Sequence, residues 1–244
     1  IWKQHQPEKP YLIVADVARG DGKDNSAFHI FELETMEVVG EYVGKPTPDD
    51  FADMLYSVAA EYNNPMVVIE NNNIGYAVLK KLIDKGYPNL YHSRKGDHQY
   101  VDSLSAQWQS NVIPGFTTSS KTRPLIVAKM EEFMRNKLII INSNRLLSEM
   151  KTFVWNHGRP QAMRSYNDDL VMSFAIGCWV RDTVIVESQK NIEYSKQFLS
   201  SISTSTTEIS TTIPGMQGHK MTKENQRTAE GINFTEQYIA LIKG

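Results

Sequence analysis

The feature that most constrains the fold is a short apolar run at residues 11–17 (YLIVADV), which carries an acidic residue near its end. Pro10 precedes this run and a glycine-containing turn at residues 19–22 follows it, so the pattern predicts a buried β-strand. Asp16 interrupts the apolar end of that strand. Because burial of an ionised carboxylate without a partner costs several kcal/mol, Asp16 requires a specific compensating group.

The chain up to residue 180 alternates between strand and helix patterns. Residues 26–33 and 36–43 flank a short polar turn, as the strands of an antiparallel hairpin do. Residues 66–69 predict a second buried strand and residues 138–141 another one. Helices are expected after the N-cap Thr47, over residues 74–85, from 121 to about 136, over 145–153 and over 168–180. This order predicts an α/β domain whose mixed central β-sheet is flanked by helices, with hairpin strands on one side and parallel strands on the other.

Three segments have a weaker pattern. Residues 93–120 are polar and are expected to be mainly loop. Residues 153–166, which contain Trp155, Arg159 and Arg164, are expected to be a loop, either mobile over a cleft or an ordinary surface loop. Residues 186–244 are polar, and residues 200–212 are nearly all Ser, Thr and Ile. We expect a domain over residues 1–185 and a tail over 186–244 that is either disordered or docks on a partner.

Composition excludes several classes of protein. The apolar runs of this 244-residue chain are too short or too interrupted to span a bilayer, so we expect no membrane partner. Cys178 is the single cysteine, which excludes disulfides within the chain and cysteine-based zinc sites and fits a reducing intracellular setting. Its helical context predicts a small buried side chain.

The net charge of −2 conceals a strong segregation of charge along the chain. Residues 1–79 hold 5 basic and 13 acidic side chains, whereas residues 80–164 hold 14 basic and 6 acidic ones. Phosphate binding requires a local positive field and not a basic total, so nucleic acid remains a candidate partner. A solvated surface of mixed charge is the alternative interpretation.

Acidic residues stand where three elements should meet the interior. Asp16 lies late in the first strand, Glu70 closes the strand that starts at residue 66, and Asp168 and Asp169 begin an apolar helix. Taken singly, each has an ordinary explanation as a turn, loop or helix-cap residue. Taken together, they predict a divalent metal site, because a cation satisfies clustered carboxylate oxygens and the ends of neighbouring strands lie side by side. Asp24 is a candidate auxiliary ligand or a plain turn residue.

Three motifs carry a resemblance to a known family: residues 14–24 (VADVARGDGKD), 68–72 (VIENN) and 166–173 (YNDDLVMS). Together they resemble the nuclease domain of the large terminase subunit, the DNA-packaging motor protein of tailed bacteriophages. The similarity covers about residues 8–182, and the basic KTRP segment at 121–124 also matches the family.

The resemblance implies a ribonuclease H-like fold and a metal-dependent endonuclease that cuts concatemeric viral DNA at the start and end of genome packaging. It implies that Asp16, Glu70 and Asp169 are the catalytic, metal-binding acids, with Asp168 as a less favoured candidate. Mg²⁺ or Mn²⁺ is the implied cofactor, with two ions during catalysis, since two cations held by carboxylates activate water and stabilise the leaving oxygen.

The resemblance also implies partners and a location. They are double-stranded DNA, an amino-terminal ATPase domain of the same full-length protein, the portal and the small terminase subunit, in the host cytoplasm at the viral procapsid. The chain lacks a G-x-x-x-x-G-K-[ST] loop, so we expect it to be the carboxy-terminal portion of the motor.

Basic residues could hold the DNA backbone without reading bases. The candidates are Lys80, Lys81, Arg94, Lys95, Lys121 and Arg123. No recognition helix or zinc module is evident, which predicts cleavage that is largely independent of DNA sequence. Two alternatives remain at this point: an ATPase of the actin-like or sugar-kinase type, and a non-catalytic docking module whose acids are structural.

Overall fold

The computed structural model describes residues 1–72, 74–96, 99–101, 106 and 109–184. The tail expected over residues 186–244 lies outside the described residues. The strands are β1 (Tyr11–Asp16), β2 (Ser26–Glu32), β3 (Glu37–Gly44), β4 (Met66–Ile69), β5 (His92–Arg94), β6 (Tyr100–Val101), β7 (Val112–Pro114), β8 (Phe153–Asn156) and β9 (Arg159–Ala162). The helices are α1 (Pro48–Glu61), α2 (Gly75–Asp84), α3 (Thr122–Arg135), α4 (Asn144–Lys151) and α5, which is described over residues 169–184.

A four-stranded mixed sheet with the order β3-β2-β1-β4 forms the centre of the domain. β1 pairs antiparallel with β2 and parallel with β4, so that Val14 lies opposite both His29 and Val68. The prediction of hairpin strands on one side and parallel strands on the other is confirmed. Its physical basis is that a four-residue turn over residues 33–36 joins β2 to β3, whereas β4 reaches its parallel position only after the crossover helix α1.

Alternate residues of β1 belong to two different cores. Leu12 and Val14 are buried with the apolar faces of α3, α4 and α5, whereas Ile13 and Ala15 are buried with α1 and α2. Both faces of the sheet are therefore covered by helices, which explains why β1 and β4 are almost continuously apolar in sequence. No described helix is long and apolar enough to cross a membrane.

Local signals located several element ends correctly. The Thr47 side chain accepts a hydrogen bond from the Asp50 backbone amide and caps α1, as predicted. Cys178 is fully buried in α5, in accordance with its predicted role as a small apolar side chain.

Two expectations about elements were wrong, and a third was incomplete. Residues 138–141 form no strand and contribute only an isolated parallel bridge between Ile140 and Glu37. The described part of segment 93–120 is mainly loop, but it also contains most of the short strands β5, β6 and β7, which form a separate three-stranded sheet that the sequence did not indicate. Residues 153–162 form the hairpin β8–β9 instead of a loop. Its strands are mostly solvent-exposed, so their sequence shows no alternation of apolar and polar residues.

A buried polar contact joins α5 to the sheet. The His29 Nδ1 atom on β2 lies 2.9 Å from the Ser173 hydroxyl, and its Nε2 atom lies 3.3 Å from a carboxylate oxygen of Glu41 on β3. Arg145 on α4 in turn binds Glu41 at 2.8 Å. His29 is thus a buried structural residue.

Candidate active site

The ends of two parallel strands bring the first two predicted acids together. Asp16 is the last residue of β1, and Glu70 directly follows β4. The Glu70 backbone amide donates to the Ala15 carbonyl at 3.0 Å, which fixes the two strand ends side by side. The side chains of Asp16 and Glu70 lie within hydrogen-bonding reach of each other, so two carboxyl groups meet at these strand ends.

Burial raises the pKa of Asp16 well above its usual range. Repulsion from Glu70, the hydrogen bond with Glu70, and the charges of Asp169 and Asp168 raise it further, in that order. Every one of these contributions disfavours the ionised carboxylate. The neutral form of Asp16 is therefore favoured in this environment, and a bound cation would favour its ionised form instead.

The asparagine run after Glu70 holds that residue in place. The Asn72 side chain donates to a carboxylate oxygen of Glu70 at 2.8 Å. Asn71 donates to the Pro114 carbonyl at 3.1 Å and accepts from the Thr117 hydroxyl at 3.0 Å, which ties the end of β4 to the segment after β7. The run that seemed a specific motif in the sequence thus has a physical role in orienting a carboxylate.

Gly75 allows α2 to begin directly against the end of β4. A Cβ atom at this position would lie 1.7 Å from the Glu70 carbonyl oxygen, a contact that no side chain tolerates. Glycine is thus required here for a close backbone approach and not for an unusual φ angle. The position of Glu70 depends on this contact as well as on Asn72.

Asp169 reaches the same region from the first turn of α5. Its side chain is 8% exposed and accepts a hydrogen bond from the Asn25 backbone amide at 2.9 Å. Burial raises the pKa of Asp169 to about 6 against the opposing effect of the Asn25 amide, and the charges of Asp168 and Asp24 add to the rise. The carboxylate is therefore held at the loop between β1 and β2, close to the end of β1.

Asp168 differs from Asp169 in its partner. Its carboxylate forms an ion pair with the Arg123 guanidinium and accepts from the Ala162 backbone amide at 3.3 Å. Arg123 also donates to the Pro160 carbonyl at 2.8 Å, so the pair is anchored on the β8–β9 hairpin. Asp168 is therefore already neutralised, and this arrangement supports the preference for Asp169 as the third ligand.

Glu149 on α4 caps the helix that carries Asp169, a contact that the sequence did not reveal. Its carboxylate accepts from the backbone amides of Leu170 and Val171 at 2.9 and 3.3 Å and so caps α5 in place of Asp168. Burial raises the pKa of Glu149 to about 7, which the two amides partly oppose and the charges of Asp169 and Asp168 reinforce. No local pattern links residue 149 to residues 170–171, because the contact joins separate helices.

Five Asp residues line a cavity of about 430 Å³, here called the acidic chamber: Asp16, Asp21, Asp24, Asp168 and Asp169. Arg19 also lines it and pairs with Asp21 at 3.4 Å, whereas Glu70 lines the neighbouring cavity. Within the described part of the chain, Asp16, Glu70 and Asp169 have no Lys or Arg partner. Asp24 lies in the same cavity as Asp16 and Asp169, and its role as an auxiliary metal ligand stays a prediction.

The donor set of the acidic chamber suits a hard divalent cation such as Mg²⁺ or Mn²⁺, which takes carboxylate oxygens. The close approach of the Asp16 and Glu70 carboxyl groups, which pair with no Lys or Arg among the described residues, marks the place where positive charge is required. Within the described residues, no group of three or more Asp, Glu, His or Cys side chains is already arranged to hold an ion. The residues therefore offer the oxygen atoms that such a cation binds. A third carboxylate has to move to reach the same ion as the other two.

A second cavity of about 360 Å³, here called the cationic cavity, adjoins the first, since Asn72 lines both. Arg123, His157 and Arg159 line it together with Glu70. Of the six basic residues predicted to contact DNA, Arg123 alone lines either cavity, and Lys121 immediately precedes α3.

The other four predicted basic residues lie elsewhere. Lys81 on α2 pairs with Asp53 of α1 at 2.9 Å, and Lys80 pairs with Asp84 at 3.6 Å. Arg94 ends β5 and contacts Gln99 at 3.3 Å, and Lys95 follows it. The structure does not bring these four residues to the acidic chamber, and their contact with DNA remains a prediction.

Comparison with solved structures identifies the fold. The chain is similar to the large terminase nuclease of the thermophilic phage G20c with bound magnesium, at a TM-score of 0.56 and 19% identity, over 72% of this chain and 84% of that one. The same nuclease with bound cobalt gives a TM-score of 0.55 at 19% identity, with the same coverage of both chains. The nuclease domain of the Thermus phage P74-26 large terminase matches at a TM-score of 0.52 and 20% identity, over 71% of this chain and 80% of that one. No protein-family profile matches the sequence. The chain therefore has the ribonuclease H-like fold of large terminase nuclease domains, as the resemblance of its motifs predicted.

Proposed function

We propose that this chain is a divalent-metal-dependent endonuclease that cuts double-stranded DNA in the packaging of a viral genome. The observation that carries the proposal is the meeting of the Asp16 and Glu70 carboxyl groups at the adjacent ends of two parallel strands, with Asp169 near them. Support comes from the fold, because the similar phage nucleases are terminase domains that bind magnesium or cobalt.

The chemistry assigns different tasks to these side chains. Asp16, Glu70 and Asp169 would hold the cation, which supplies an activated water and neutralises charge on the phosphate. Asn72 and the Asn25 amide keep Glu70 and Asp169 oriented. Loss of a proton from Asp16 would leave its carboxylate free to bind the cation. Because no His lines the acidic chamber, these steps use carboxylates alone among the described residues.

The biological setting belongs to the same proposal. Cleavage of concatemeric DNA would start and end packaging, in the host cytoplasm at the procapsid, with the amino-terminal ATPase domain, the portal and the small subunit as partners. Cleavage would be largely independent of sequence, because the basic groups near the site are suited to the phosphate backbone. A steep salt dependence of binding follows from that mode of contact.

Nicking of supercoiled plasmid in Mg²⁺ or Mn²⁺ tests the proposal. Asp16→Asn keeps the size and a hydrogen-bonding side chain but removes the charge, so we expect a loss of about 1,000-fold, which corresponds to about 4 kcal/mol of barrier. Asp84→Asn is the matched control, since Asp84 lies on the exposed end of α2 and pairs only with Lys80 among the described residues. Full cleavage by a folded Asp16→Asn protein would reject the proposal. Absence of both metal binding and cleavage in the intact chain would favour the docking module.

A further inference from the structure

The cationic cavity is lined by two arginines and by hydroxyl-bearing side chains. Arg159 enters from the β8–β9 hairpin and Arg123 from the first turn of α3, while Thr118 and Ser119 form part of the lining. The one acidic group among the described lining residues is Glu70, at the border with the acidic chamber. An excess of positive charge in a concave site favours an anionic ligand.

Two of these groups lack partners. The Arg159 guanidinium makes no hydrogen bond or ion pair with any other described residue, although it lines a cavity. The Thr118 hydroxyl oxygen is buried and has no hydrogen-bond partner among the described residues. Since buried hydroxyl groups are almost always satisfied, Thr118 is expected to bond to something that enters the cavity.

We propose that the cationic cavity binds a backbone phosphate of the DNA strand that is cut, next to the scissile phosphate, with Arg159 as its main ligand and Arg123 as the second. The proposal rests on the nuclease function proposed above and extends it to a named substrate contact. Arginine suits this role, because its planar fork binds two phosphate oxygens at once. A contact of this kind positions the duplex and reads no base.

Arg123 gives the site a link to the acidic chamber. In the structure its guanidinium is neutralised by Asp168, and its side chain is only 15% exposed. A phosphate that enters the cavity competes with Asp168 for the same guanidinium. Arg159, which has no such competitor among the described residues, supplies the charge that the phosphate meets first. Arg159 is therefore the better residue for a test.

The test measures binding of a labelled DNA duplex to the full chain in EDTA, so that no cleavage and no metal contribute. We expect Arg159→Ala to weaken binding by about 10-fold, which corresponds to about 1.4 kcal/mol, and to reduce the slope of log affinity against log salt by about one. Arg159→Lys should recover part of the affinity. Arg135→Ala is the control, because Arg135 is an exposed arginine at the far end of α3 that pairs with Glu131.

Cleavage kinetics provide the second measurement. Arg159→Ala should raise KM and leave kcat within about 2-fold, because the contact is made equally in the ground and transition states. Unchanged affinity and unchanged salt slope in folded Arg159→Ala would overturn the proposal, as would the same loss in Arg135→Ala. Inorganic phosphate is the other probe: if it binds the intact chain at Arg159 more tightly than the duplex does, the cavity is a free-phosphate site and the proposal is wrong. Because binding is measured without metal, a failure here is distinct from a failure of the Asp16→Asn cleavage test.

Discussion

The acidic chamber and the cationic cavity are neighbours with opposite charge. The first is lined by five Asp residues, whereas the second is lined by two Arg residues and one His. Asn72 and the Arg123–Asp168 pair lie at the border between them. In the proposed function, the acidic chamber would bind cations and the cationic cavity would bind phosphate.

The two halves also differ in how they are built. In the acidic chamber, Asp16 ends β1 and Asp169 lies in the first turn of the buried helix α5, elements whose backbone is fixed by the core, whereas Asp21 and Asp24 lie in the loop between β1 and β2. The arginines and the histidine of the cationic cavity come from the first turn of α3 and from the largely exposed β8–β9 hairpin. Rigid placement suits metal ligands, whose distances must be exact to a few tenths of an ångström.

The largest effect on stability is expected at Gly75, because the close approach of α2 to the end of β4 at this residue positions Glu70. In Gly75→Ala the new Cβ would collide with the Glu70 carbonyl oxygen at 1.7 Å, so either α2 or the end of β4 has to move. We expect a loss of about 3 kcal/mol in the free energy of unfolding, at the upper end for overpacked sites, measured by urea denaturation. Because Glu70 lines the cationic cavity and its side chain meets that of Asp16, metal binding and DNA binding should both weaken.

Gly22→Ala is the control for that measurement. An added Cβ at Gly22 meets nothing within 4 Å, and its backbone does not have the positive φ that would make alanine strained. Its free energy of unfolding should therefore match that of the parent chain. If Gly75→Ala is as stable as Gly22→Ala, the close approach of α2 to the end of β4 is not a constraint on the site.

A smaller effect that separates the two halves is expected at Glu149. In Glu149→Ala the amides of Leu170 and Val171 lose their acceptor, which should cost about 1 kcal/mol of stability, as for other helix caps. Because α5 carries Asp169, affinity for Mn²⁺ should fall, whereas DNA binding in EDTA should stay unchanged. Isothermal titration calorimetry with Mn²⁺ and a DNA-binding assay measure the two effects on one preparation.

Two further variants make the Glu149 result interpretable. Glu149→Gln retains an acceptor oxygen and should recover most of the stability. Glu131→Ala removes an exposed acid that pairs only with Arg135 in the described residues, and it should change neither quantity. A parallel loss of Mn²⁺ affinity and DNA affinity in Glu149→Ala would contradict the separation of the two cavities.

The parts of the molecule that sequence predicted well are those with local signals. The apolar runs that became β1 and β4, and the cap at Thr47, were recognisable from neighbouring residues alone. The contact between Asp16 and Glu70 followed once those strands were taken as neighbours, because parallel strands end at the same edge of a sheet.

The parts that sequence missed depend on pairings between distant residues. The Arg123–Asp168 ion pair joins residues 45 positions apart, and the Glu149 cap crosses between two helices. The β8–β9 hairpin left one usable signal: His157 and Gly158 form its two-residue turn, both with positive φ. A two-residue turn with a glycine at its second position is typical of tight hairpins. It would have predicted the hairpin even though the exposed strands do not alternate between apolar and polar residues.

Titration of the metal-free chain with Mn²⁺ at a series of pH values tests whether the clustered carboxylates exist to hold a cation. Burial and mutual repulsion raise the pKa of Asp16, and burial raises that of Asp169 to about 6. Mn²⁺ binds the ionised carboxylates, so affinity should increase as the pH rises through about 6, with release of protons, and it should be lost in Asp16→Asn. Absence of saturable Mn²⁺ binding at neutral pH, or equal binding by Asp16→Asn, would contradict a metal centre at the ends of β1 and β4.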